Sequence, residues 1–109
     1  MPHQSAPDPI AVEVASGYLA DVLAQTDPDG PFFKSRDLEE ATRQLARAAY
    51  RADLSEVALT RWLVAASATA FGGGGGVSVR LTRQLHRWAA DEFAAVVVAS
   101  RRSRIARLA

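Results

Sequence analysis

The chain contains no cysteine. That absence excludes disulfides, thiolate nucleophiles and sulfur-ligated zinc or iron–sulfur sites. It fits a reducing compartment, and a cytoplasmic protein is the expectation. Aromatic residues make up only 7% of the 109 residues, so aliphatic side chains must fill most of any core. Lysine is nearly missing: Lys34 stands alone among thirteen basic residues. Arginine therefore carries almost all the positive charge, which suits bidentate contact with phosphate or carboxylate. No apolar run is long. "WLVAASATAF" is the longest free of charge, about half the roughly 20 residues a membrane span needs. The start, "MPHQSAPDP", lacks the basic head and apolar stretch of a signal peptide.

The charge present is segregated although the net is only +1. Residues 1–33 carry five acids and no base, whereas residues 77–109 carry seven arginines against two acids. An acidic head and a basic tail imply an anionic partner for the tail, or pairing of the two ends.

Periodicity predicts one all-α domain over residues 1–109, a bundle of four to five helices. Residues 1–7 read as a disordered start. Asp8 caps the first helix, with Pro9 at its first position. Ile10, Val14, Tyr18 and Val22 recur at four-residue steps, beside Leu19 and Leu23, and are expected to face inward. "TDPDGP" ends this helix. Ser35 or Asp37 caps the second, Asp37 with Glu40 at capping-box spacing, and Phe32 and Phe33 precede the cap. Its apolar face is Leu38, Ala41, Leu45, Ala48, Ala49 and Ala52, and Glu39 can pair with Arg43 one turn on.

Asp53 followed by Glu56 repeats the capping spacing, so a break is expected there; the alternative is one helix over 37–71. "LSEVALTRWLVAASATAF" is apolar nearly all round, as in a bundle centre or a subunit interface. Gly72 to Gly76 read as a flexible hinge. Val77 to Leu81 alternate as a short strand would. A fourth helix follows, capped at Thr82, with Leu85, Trp88 or Ala89, Phe93 and Val96 inward. Residues 100–109 form a basic tail or short helix starting at Ser100.

No catalytic constellation emerges, and no enzyme, metal or cofactor is expected. The glycines lack the preceding strand and the following Lys-Ser/Thr of a phosphate loop. His3 and His86 are the only histidines, and neither has a partner at ligand spacing. Asp91 and Glu92 are adjacent and so diverge on a helix. Trp62 and Trp88 read first as core and second as binding anchors.

"PFFKSRDLEEA" followed by "LSEVALTRWLVAAS" resembles small prokaryotic winged-helix and other helix-turn-helix regulators. The glycines and "VSVRLT" would be the wing. The resemblance covers Pro31 to Thr82, about half the chain, and implies a transcriptional regulator binding duplex DNA. The chain departs from that family by roughly three extra helical turns before the recognition helix, which itself carries a single base, Arg61. "VSVRLTRQLHRWAADEF" also resembles the start of ribbon-helix-helix repressors, with Ser78 and Arg80 as groove readers. The expected phosphate contacts are Arg61, Arg80, Arg83, Arg87, Arg101, Arg102, Arg104 and Arg107. The competing expectation is a non-catalytic helical adaptor or assembly subunit. It would form a homodimer or dock a protein partner through helices 54–71 and 82–99, using Val57, Trp62, Leu63, Trp88 and Phe93.

Overall fold

A computed structural model describes residues 9–25, 36–71 and 79–108, with the side chains of 107 and 108 excepted. The expectations for residues 1–7, for the caps Asp8 and Ser35, for "TDPDGP", Phe32 and Phe33, and for the hinge 72–76 lie outside these residues. Four helices run in order: α1 (Pro9–Ala24), α2 (Arg36–Arg51), α3 (Glu56–Phe71) and α4 (Val79–Leu108). Among the described residues there is no strand.

The strongly amphipathic α2 is the central element. Leu38, Ala41, Thr42, Leu45, Ala46, Ala48 and Ala49 are buried along it. One flank packs on α1 and the other on α4, while α3 closes against α1, α4 and the end of α2. Thr42 is fully buried. Its hydroxyl donates to the Leu38 carbonyl at 2.8 Å, so the polar group costs little inside an apolar face. Asp37 lies inside the first turn, where with Glu39 it faces the positive end of the helix dipole rather than serving as the cap.

The first helix turns a different face inward from the one its four-residue rhythm suggests. Val12, Ala15, Ser16, Leu19, Ala20 and Leu23 are buried, while Ile10, Val14 and Tyr18 are exposed. Pro9–Ala24 is apolar nearly all round, so two stripes compete. The stripe containing Ala15 and Ala20 lets the backbone come close to the alanine-rich surface of α2, and dispersion then favours it.

The break at Asp53 is present, with a different division of labour. Asp53 adopts φ 63°, the left-handed region. The Asp53 N–H donates to the Tyr50 carbonyl at 3.0 Å and the Leu54 N–H to the Ala49 carbonyl at 2.9 Å. This is a Schellman ending of α2 with Asp53 at the position that glycine usually occupies. Ser55, not Asp53, caps α3: its hydroxyl accepts from the Ala58 N–H at 3.2 Å. Glycine removes the cost of a Cβ in the left-handed region. Asp53→Gly is therefore expected to raise stability by about 0.5–1 kcal/mol. Urea denaturation with an unchanged or lower midpoint would count against this reading.

The expected strand at 77–81 is absent where it can be seen, because Val79, Arg80 and Leu81 form the first turn of α4. Val77 and Ser78 lie outside the described residues. Thr82 is accordingly an interior residue of α4 and not its cap. Ser100 does not start a new helix either, since α4 continues through it for 30 residues in all. No glycine or proline interrupts residues 79–108, and a β-branched run of three valines is too weak a breaker to stop a helix already docked. Leu81, Leu85, Trp88 and Ala89 are buried, and Phe93 packs at the core edge. The same inward line then meets Ser100 and Ser103, which offer no apolar surface. At 1.5 Å per residue α4 is about 45 Å long, against about 24 Å for each partner helix. The molecule measures 50 × 24 × 21 Å, and residues 101–106 of α4 are exposed at its end.

Candidate nucleic-acid interface and its ionic support

The predicted phosphate contacts collect mainly on one element. Arg80, Arg83 and Arg87 are exposed on the first third of α4, and Arg101, Arg102 and Arg104 are exposed on its last third. Arg107 belongs to the final turn of the same helix. Arg83 and Arg101 are separated by about 27 Å along the axis, and the helical step puts both on the same side. Between the two groups stand Asp91 and the small residues Ala90, Ala94 and Ala95, all exposed. Thr82, Arg83, His86, Arg87, Ala90 and Asp91 line a shallow depression of about 600 Å³ on the outer surface. Arg61 is exposed on a different helix, α3.

The predicted partner residues divide differently. Leu63 and Trp88 are buried in the chain's own core. Trp62 and Phe93 are half-buried at its edge, and the Phe93 ring meets Tyr50 edge-on with centroids 5.8 Å apart. Val57 alone among the five is exposed, at 64%.

An ionic cluster fixes α4 to α2. Glu92 is adjacent to the exposed Asp91 but sits on the inward side, with its side chain 17% exposed. One carboxylate oxygen accepts from Arg43 Nη1 at 3.3 Å and the other from Arg47 Nη1 at 3.0 Å. Arg43 Nε also donates to Glu39 Oε2 at 2.8 Å, the pair expected from their spacing. Arg47 Nη2 donates to Glu40 Oε2 at 2.6 Å. Glu92 thus bridges two guanidiniums, each already held by an acid of its own helix. Two arginines one turn apart repel unless acids lie nearby. The sequence-based expectation pairs only Glu39 with Arg43; the Arg43–Arg47 spacing is the available signal that further acids lie nearby, and it does not single out Glu92.

The charges respond as their neighbours dictate. Burial works to lower the Arg43 and Arg47 pKa values. The hydrogen bonds and charges of Glu39 and Glu92 on Arg43, and of Glu92 and Glu40 on Arg47, more than offset it and raise both. The Glu40 carboxyl is held below its ordinary value, first by the hydrogen bond from Arg47 and then by that from Gln44. A carboxylate with a lowered folded-state pKa stabilises the fold fully above its unfolded value of about 4.5, and that contribution fades as pH falls below it. Glu40→Gln is therefore expected to flatten the fall of the thermal midpoint below pH 4.5. Parallel midpoint curves for parent and variant would refute this.

Among the described residues no three His, Asp or Glu side chains gather to hold a metal ion, and no helix is long and apolar enough to cross a membrane. No protein-family model, curated protein or solved structure matches the chain.

Proposed function

We propose that this chain is a small, non-catalytic cytoplasmic DNA-binding protein that grips duplex phosphates through the outer surface of α4. One observation carries the reading. Arg83, Arg87, Arg101, Arg102 and Arg104 are exposed on a single helix, and their side chains make no ion pair or hydrogen bond among the described residues. Such charges left open to water attract a polyanion and release its counterions on contact. The helix-turn-helix resemblance contributes little beyond the α2–α3 turn. The first turn of α4 occupies part of the expected wing, and α3 exposes one base. Binding is therefore expected to follow phosphate geometry rather than base sequence.

Fluorescence anisotropy with a labelled duplex tests this over a salt series. Each phosphate contact contributes about −0.9 to the slope of log K against log salt. Arg101, Arg102 and Arg104→Ala together should reduce the slope by about 2–3 and weaken binding uniformly across sequences. Alanine is a strong helix former and these positions lie beyond the core, so the variant should fold. Absence of binding at low salt, or an unchanged slope in the variant, would defeat the proposal.

The adaptor reading retains a foothold on α3, where Val57 and Val64 are exposed one heptad apart. It predicts a stable complex that salt does not dissolve, with Val57→Lys abolishing it.

A further inference from the structure

Besides Val57 and Val64 on α3, exposed apolar side chains form a ridge on α1 and another on the end of α4. On α1, Ile10 and Val14 are 68% and 67% exposed. Glu13 and Asp21, both exposed, lie beside this ridge, and the described part of α1 has no basic residue. On the projecting end of α4, Val98 and Ile105 are 46% and 67% exposed. Seven residues apart, they form one line with Arg101 and Arg102 on either side. One ridge is apolar with acids, the other apolar with arginines. The two match in hydrophobicity and are opposite in charge.

We propose that the projecting end of α4 seats on the outer face of α1 of a second copy of this chain. Within one chain α4 packs chiefly on α2 and α3, and its end projects past the core that α1 helps to build. A second molecule is thus the source of a matching α1. The contact is heterologous in its surfaces, so two copies can close it by reciprocal exchange of their α4 ends, or more copies can extend it as a chain. Small area makes it weak and salt-sensitive. Arg47 and Arg51 stand on the α2 side of the α1 ridge, where they help line a groove of about 760 Å³. Arg47 is neutralised by Glu40 and Glu92. Arg51 opposes an arginine-rich occupant, so the α4 end must lie toward Glu13 and Asp21.

Charge reversal on each ridge tests the contact. Light scattering of the parent at about 0.05 M salt should show mass rising with concentration to twice the chain or more, and falling back at high salt. A head variant, Glu13→Arg with Asp21→Arg, should be monomeric alone. A tail variant, Arg101→Glu with Arg102→Glu, should also be monomeric alone. Mixed together they should associate, because each surface then meets its opposite again. All four positions are exposed, and circular dichroism of each variant is the check that its helices persist. A parent that stays monomeric at about 100 μM, variants that associate as the parent does, or a mixture that fails to associate would each overturn the proposal. Arg101 and Arg102 serve both readings, but no DNA is present in these measurements, so failure of the self-contact is distinguishable from failure of DNA binding.

Discussion

Replacing Leu45 with alanine should cost about 3 kcal/mol, a large loss for a chain of this size. The reason lies in what fills the core. Of the nineteen buried apolar residues among those described, nine are alanines and eight are leucines, joined by Val12 and Trp88. Alanine brings helices close together but buries little area of its own, so the leucines supply most of the transfer energy. Leu45 is fully buried at the middle of α2, which packs most extensively on α1 and α4 and also meets α3. Its neighbours on that helix, Ala41, Ala46, Ala48 and Ala49, are too short to collapse into the space left behind. A domain of this length holds on the order of 5–10 kcal/mol in total, so the variant loses a third or more of its stability. Leu45→Met, which conserves volume, should cost under about 1.5 kcal/mol. Urea denaturation with a matched slope separates the two cases. A Leu45→Ala loss below about 1 kcal/mol would mean that the core is fluid enough to refill, against the packing described.

An all-α bundle and the break between α2 and α3 were legible in the sequence because each rests on local chemistry, whereas the extra terminal helix expected at Ser100 is the end of α4. Leu38 to Ala52 repeats with one helical period and one polar side, so α2 admits one orientation. The break after α2 was marked by Asp53 and Glu56 at capping-box spacing, while the residue that caps α3 in the structure is Ser55. That Asp53 ends α2 rather than starting α3 depends on a backbone angle that no spacing reveals. The orientation of α1 was not legible for a different reason. A helix apolar on most sides carries no unique inward stripe, and the neighbour's shape decides. The alternation in "VSVRLT" misled because the period of two extends over only a few residues. Val79, Arg80 and Leu81 gain more by extending a docked helix, where Leu81 is buried, than by standing as a strand without a described partner. The segregated arginines were visible from composition alone. That most of them share one uninterrupted helix became apparent only when Ser100 proved to be interior.

The position of that helix depends on Glu92, and Glu92→Ala should lower stability by about 1–2 kcal/mol while loosening the bond between α4 and α2. A lone surface ion pair is worth a few tenths of a kcal/mol, so the larger figure needs a reason. Removing Glu92 takes one acceptor from Arg43 and one from Arg47 at once, at side chains only 24% and 31% exposed. Glu39 and Glu40 still hold each guanidinium, which keeps the loss below the 3–5 kcal/mol typical of a stranded buried charge. Glu92→Gln retains the shape and one acceptor oxygen, and should lose about half as much. A double-mutant cycle with Arg47→Ala would isolate the inter-helical term, expected at about 0.5–1 kcal/mol. Hydrogen exchange would show where the loss is felt. Amides of α4 beyond Trp88 should exchange faster, while those of α1 and the first half of α2 stay protected, because the cluster ties only one edge of the core. Uniform acceleration across all four helices would instead mean that Glu92 supports the whole fold. DNA affinity provides an independent readout, since the proposed grip uses both ends of α4 held in one line. Loosening the helix at its midpoint should weaken binding to a long duplex while leaving the salt slope unchanged, because no phosphate contact is removed.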